Sequence, residues 1–184
     1  MKVTITGRPK HVSKKIAKEA LEFFASILMT KRLTKTLSVE IKFVKDLRQS
    51  EFGRKYGADK TDWAIMDYEH HWTESRLPKQ FIFEISNDIR TEQKLLELLA
   101  HEMVHVEQYA RGRLDYTRKH YDIKRWEKKE YDTRKKPYWL WPWEVEAYGK
   151  EIGLVSMFLE HNAERLNLPL TQQGLPTKKD WKAK

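Results

Sequence analysis

One run constrains this chain more than any other: RTEQKLLELLAHEMVHVEQYARG, residues 90–112. It has the length and apolar spacing of a helix, with Thr91 where an N-cap belongs and Gly112 as a C-terminal stop. HEMVH, residues 101–105, falls near its end. Residues four apart on a helix share a face, one turn above each other, so His101 and His105 can aim two imidazoles at one ion. Glu102 sits beside them, placed to take a proton from water that the ion has activated. A surface helix carrying two incidental histidines is the plainer alternative, and the sequence downstream weighs against it.

Catalytic zinc normally takes three protein ligands plus water. The chain has no cysteine, so the third ligand must be a histidine or a carboxylate. The downstream candidates are His120, Glu144, Glu146, Glu151 and His161. Pro142 suits the first position of a helix, and the spacing predicts that helix over 143–161. At about 100° per residue, Ala147, Tyr148, Ile152, Leu154, Val155, Phe158 and Leu159 form one apolar face. Glu144 falls near its middle, whereas Glu146 lies almost opposite and is expected to meet water. A carboxylate on the buried side needs a reason, because an unpaired buried charge is expensive. A cation supplies one; an ordinary acidic residue at a helix N-terminus is the alternative. Glu144 is therefore the expected third ligand, with His120 and Glu146 as the other choices. Glu151, also inward, is placed to orient a ligand histidine from outside the ligand set.

The remaining elements follow from periodicity. SKKIAKEALEFFASILM, residues 13–29, reads as an amphipathic helix capped by Ser13. Residues 37–44 alternate strictly, with Leu37, Val39, Ile41 and Phe43 on one face, as in a strand with one wet side. Further strands are expected near Trp63–Tyr68 and over 80–86 (QFIFEIS), the latter apolar enough to lie well inside a sheet. Residues 115–126 read as a hairpin within an irregular, aromatic stretch. The order of helix, strands, metal-site helix, insert and helix is an α+β arrangement. A length of 184 residues is most simply one domain. We place it at 1–165, with a basic aromatic insert at 111–142 and a loosely held basic tail at 166–184.

The formal net charge is +9. Residues 111–136 hold eleven Lys or Arg against five Asp or Glu, and so carry six of the nine excess charges. Such a segment attracts anionic surfaces, and its interleaved aromatics suit weak, non-specific binding of single-stranded nucleic acid. The aromatics can equally pack over the metal-site helix as a lid. No apolar run approaches a membrane span, and residues 1–15 lack the apolar centre of a secretion signal. A cytoplasmic protein with no membrane partner is expected.

LLELLAHEMVHVEQYARG followed by PWEVEAYGKE resembles the zincin metallopeptidases, in particular the small SprT-like and phage-encoded ones. In the gluzincin branch a later helix carries a Glu ligand in an ExxA-type motif. Glu144–Val145–Glu146–Ala147 matches it with Glu144 in the ligand position. SprT-like proteins use a third histidine, and no HG-type pattern stands here. The resemblance implies a small mixed or mostly antiparallel sheet packed on an N-terminal helix and the HExxH helix, with a C-terminal helix completing the site. It also implies one zinc ion per chain, hydrolysis of peptide bonds with Glu102 as general base, and a protein or peptide substrate pairing with the sheet edge at QFIFEIS. The tetrahedral intermediate needs a second donor; Tyr148 is the first choice, with Tyr109 and His120 as alternatives. Two readings from other classes stand beside this one. The first is a nucleic-acid-associated protein, including a peptidase acting on DNA-bound proteins. The second is a zinc scaffold without catalysis, against which Glu102 argues.

Overall fold

A computed structural model describes residues 1–60, 62–68, 77–117 and 122–166. These residues form an α+β structure with five α-helices and two small sheets. The tail and His120 lie outside the described residues.

The larger sheet is mixed. Strands β1 (Lys2–Thr6), β2 (Ser38–Val44) and β4 (Gln80–Ser86) run parallel in the order β1-β2-β4, and β3 (Ala64–Tyr68) adds to β4 in antiparallel sense. A parallel pair cannot be closed by a tight turn, so β1 and β2 are joined through helix α1 (Lys14–Leu28). QFIFEIS, expected at the sheet edge, is instead paired on both sides, by β2 and β3. The strand is buried too well to be an edge; β1 and the shorter, half-buried β3 are the outer strands.

The strict alternation of β2 turns Val39, Ile41 and Phe43 onto the core face beside Phe81, Phe83 and Ile85 of β4. Helices α1 and α4 (Glu92–Ala110) pack with them in one core. Ser13 caps α1 through its side chain, and Thr91 caps α4 in the same way. Glu92 ties the two ends together by accepting a bond from the Ser13 amide, 2.8 Å. On the other face of the sheet Glu84 is buried, and it accepts the Phe52 amide of α3 (Glu51–Tyr56) at 2.9 Å. The short helix α2 (Lys31–Thr34) leads from α1 to β2.

α4 ends at Gly112, whose φ of +69° lets the Arg113 amide turn back to the Gln108 carbonyl, 2.8 Å. The insert then forms a second, antiparallel sheet of β5 (Leu114–Tyr116), β6 (Ile123–Trp126) and β7 (Lys129–Asp132), one strand more than the expected hairpin. β6 and β7 are joined by Glu127 and Lys128, both at positive φ (46° and 69°). A two-residue turn of this kind matches the strand twist but normally favours Asn-Gly. Here Arg113 holds the first position, its Nε donating to Glu127 at 2.6 Å.

Helix α5 (Pro142–Leu166) starts at the predicted proline and packs along α4 and α1. Phe158 meets Phe23 and Phe24 of α1, with ring centroids 5.5 and 5.8 Å apart. The arc that α5 buries is Trp143, Glu144, Ala147, Leu154, Val155 and Phe158. Tyr148 and Ile152, expected inside, are 40% and 61% exposed.

Candidate metal centre

His101 and His105 project from α4 toward the first turn of α5, where Glu144 faces them, and all three are buried. Nε2 of His101 lies 3.2 Å from Nε2 of His105, and Oε2 of Glu144 lies 3.3 and 3.4 Å from the two nitrogens. A tetrahedral zinc with ligand bonds of about 2.0–2.1 Å spaces neighbouring donors about 3.3 Å apart. The three atoms thus already form one face of such a tetrahedron.

The outer nitrogens of the two histidines are engaged from the other side. His105 Nδ1 lies 2.8 Å from Gln108 Oε1, and His101 Nδ1 lies 3.3 Å from Glu151 Oε2. The second contact is an ion-pair distance without good hydrogen-bond alignment. Both partners favour the proton on Nδ1, which leaves the two Nε2 lone pairs and the Glu144 carboxylate pointing at one another. Three acceptors at 3.2–3.4 Å need a positive charge between them. In the metal-free protein a proton serves: burial alone lowers the His101 pKa, but the Glu144 and Glu151 carboxylates override it and raise it to about 10. Burial likewise works to raise Glu144, and the two histidines and Tyr138 outweigh it, holding this carboxyl well below the usual range. The donor set, two imidazoles and a carboxylate, is one that zinc accepts.

Glu102 is buried beside the histidines, and loss of hydration raises its pKa against the pull of His101 and His105. Such a carboxylate takes up a proton more readily than an exposed one.

The other expected residues divide clearly. Glu151 stands where the helical phase put it. Glu146, expected to meet water, is only partly exposed, its side chain at 20%: it accepts from Gln108 at 3.0 Å, Arg113 at 2.9 Å and Lys150 at 2.6 Å, outside the ligand set. The Arg113 side chain, folding back from the end of α4, covers that flank. Tyr148 packs against His101 with the rings tilted at 59° and their centroids 4.4 Å apart, and is itself 40% exposed. Tyr109 is packed with Tyr68 and Tyr116 at 4.7 and 6.0 Å, and His161 lies against Phe23 and bonds the Met157 carbonyl; neither is among the donor set.

Two residues enter that the sequence reading passed over. Tyr138, on the turn before α5, donates its hydroxyl to Glu144 Oε2 at 2.6 Å. Gln108 touches His105 as described. Its signal was available, since a residue three beyond His105 shares its flank of the helix. Tyr138 lies in an irregular run with no periodicity to place it.

Two of the insert's aromatics turn inward: Trp126 and Tyr131 approach Trp143 at 6.3 and 6.2 Å, so these two rings cover the start of α5. Trp139, 65% exposed, leans on Tyr148 with ring centroids 5.2 Å apart. Among the described residues, no helix is long and apolar enough to cross a membrane. Comparison of the chain with protein-family models, curated proteins and solved structures returned no match.

Proposed function

We propose that this protein is a zinc-dependent metallopeptidase of zincin-like architecture, with His101, His105 and Glu144 holding one ion and Glu102 as general base. The observation that carries the reading is the spacing of the three donors, 3.2–3.4 Å, with His105 Nδ1 bonded to Gln108 and His101 Nδ1 facing Glu151 at 3.3 Å. An ion bound there would polarise a substrate carbonyl and make water acidic enough to lose a proton near neutral pH. Glu102 takes that proton and passes it to the leaving nitrogen; its burial supports both halves of the transfer. Tyr138, whose hydroxyl donates to Glu144 Oε2 at the same end of the site, joins Tyr148 as a candidate for the donor that steadies developing negative charge once substrate displaces that contact. Tyr148 lines the mouth with Trp139 and Ile152, an uncharged rim suited to apolar substrate side chains. The open edge of β3, not β4, is the strand to which an extended peptide would add.

The test combines metal content with hydrolysis. Wild-type protein should carry about one zinc per chain and cleave unfolded protein or a proteome-derived peptide mixture, with cleavage stopped by chelator and restored by zinc. Glu102→Gln should keep the zinc and lose at least about 100-fold in rate. Full zinc occupancy in both proteins with no hydrolysis by either would leave a metal scaffold in place of an enzyme.

A further inference from the structure

We infer that Gln108 is a positioning residue of the metal centre: one buried amide that fixes the His105 imidazole and ties it to the backbone carrying Glu144. The inference rests on the metal-site reading above and deepens it.

Gln108 is fully buried, so its amide nitrogen needs acceptors from the protein. Two stand on one side of it: the Trp143 carbonyl at 3.1 Å and Glu146 Oε2 at 3.0 Å. Neither a carbonyl nor a carboxylate can donate, so the NH2 must face them and the amide oxygen must face the other way. That oxygen is 2.8 Å from His105 Nδ1. An oxygen there accepts, so Nδ1 carries the proton and Nε2 presents a lone pair toward His101 and Glu144. The tautomer that a metal needs at His105 is thus dictated from α5, on the far side of the amide.

The link reaches both ligand-bearing helices. The acceptor carbonyl belongs to Trp143, the residue before Glu144, so the same side chain that turns His105 also holds the first turn of α5. Glu146 is fixed in turn by Arg113, through contacts of 2.9 and 3.1 Å from the guanidinium, and by Lys150 at 2.6 Å. Arg113 also reaches Glu107 at 2.9 Å and stacks on Trp126 of the insert, 4.8 Å from its ring. A continuous set of polar contacts therefore runs from the insert through Arg113, Glu146 and Gln108 to His105. His101 is served differently, by the carboxylate of Glu151 at 3.3 Å. A neutral amide at one histidine and a carboxylate at the other keeps the charge of the surround down, while both rings stay fixed.

Gln108 touches no ligand-side atom, so its removal should change how well the donor set is held and leave the donors themselves in place. Outer partners of this kind are worth about 10–100-fold in metal affinity. The experiment is competition of the whole protein against a chromophoric zinc chelator, with the visible spectrum of the cobalt-substituted protein as a second readout. Gln108→Met keeps the length and removes all three bonds. It should lose about 10–100-fold in zinc affinity and shift the cobalt bands. Gln108→Glu can accept from His105 but meets Glu146 as a like charge and cannot donate to Trp143. It should lose affinity too, and Gln108→Glu with Glu146→Gln should regain part of it, because the 108–146 bond reforms with donor and acceptor exchanged.

Circular dichroism of each metal-free variant separates misfolding from a loosened site, and only variants with the wild-type spectrum are scored. If Gln108→Met folds and binds zinc and cobalt as wild type does, the inference is wrong and the metal site stands. If Gln108→Met does not fold, the exchanged double variant decides: restoration of affinity relative to Gln108→Glu supports the inference, and no restoration overturns it. If wild type binds neither metal, the metal-site reading and this inference fall together.

Discussion

Zinc binding should be steeply dependent on pH, with a slope that the site's own electrostatics sets. In the metal-free protein His101 holds a proton between itself and two carboxylates, with a pKa raised to about 10. Throughout the range from pH 6 to 8 that proton must leave before Nε2 can bind metal, so one proton is released per ion. Affinity then rises about tenfold per pH unit, or about 100-fold across the two units, from His101 alone. The assay is zinc competition against a chelator of known pH dependence. Calorimetry in two buffers of different ionisation enthalpy counts the proton directly. Glu151→Gln removes one of the carboxylates that raise His101, so it should flatten the slope toward the upper end of the range. The folding consequence has the matching sign. His101 is raised, so its contribution to metal-free stability is complete below about pH 6.5 and lost as pH climbs through about 10. Glu144 is depressed, so its contribution is complete above about pH 4.5 and lost only in stronger acid. An affinity that stays level from pH 6 to 8, with no proton released, would refute the account of three facing acceptors bridged by a proton.

Four other outcomes are expected. At saturating zinc, Tyr138→Phe should lower kcat by about 100-fold or more with little change in KM, measured on a fluorogenic peptide; an equal rate would remove Tyr138 from the chemistry. Lys128→Gly should stabilise the fold by about 1 kcal/mol, since a side chain at φ +69° is strained. Thermal melting should show a rise of about 2–4 °C, whereas Glu127→Gly, which gives up the Arg113 contact, should not gain. Trp143→Ala removes a ring buried among Trp126, Tyr131 and Trp141 and should cost about 3–5 kcal/mol in urea denaturation. Saturating zinc at about 1,000 times its Kd should add about 4 kcal/mol to unfolding, reversed by chelator and much reduced in Glu144→Gln.

The elements with strong periodicity were legible. Ser13 and Thr91 cap the helices they were expected to cap, and the alternation over 37–44 is the alternation of a strand with one buried face. HEMVH and the phase of Glu144 placed three converging donors from spacing alone. What was not legible depended on partners distant in sequence. The first strand, KVTIT, is an outer strand of alternating half-burial, and only its pairing with β2 identifies it. Glu146 looked solvent-facing because helical phase records direction and not company. Arg113, 33 residues away in the chain, folds back over that flank and makes it part of the site. Tyr148 and Ile152 were misplaced for the converse reason. They are near the buried arc, but among the described residues both stay exposed, Tyr148 meeting the rings of His101 and Trp139.

The exposure of Tyr148 and Ile152 bears on how the site is built. α5 buries Trp143, Ala147, Leu154, Val155 and Phe158, which fix its axis against α1 and α4. The rotation of its first turn is set by the buried Trp143 ring together with directional polar contacts: Gln108 to the Trp143 carbonyl, Arg113 to Glu146 and Tyr138 to Glu144. Apolar packing tolerates small rotations with little loss, because dispersion is non-directional, whereas hydrogen bonds weaken steeply with angle. Ligand donors must be held to within about 0.5 Å to act together. The division of labour follows: the core brings α4 and α5 together, and the Trp143 ring with the polar contacts around Glu144 sets the angle at which its carboxylate meets the two histidines.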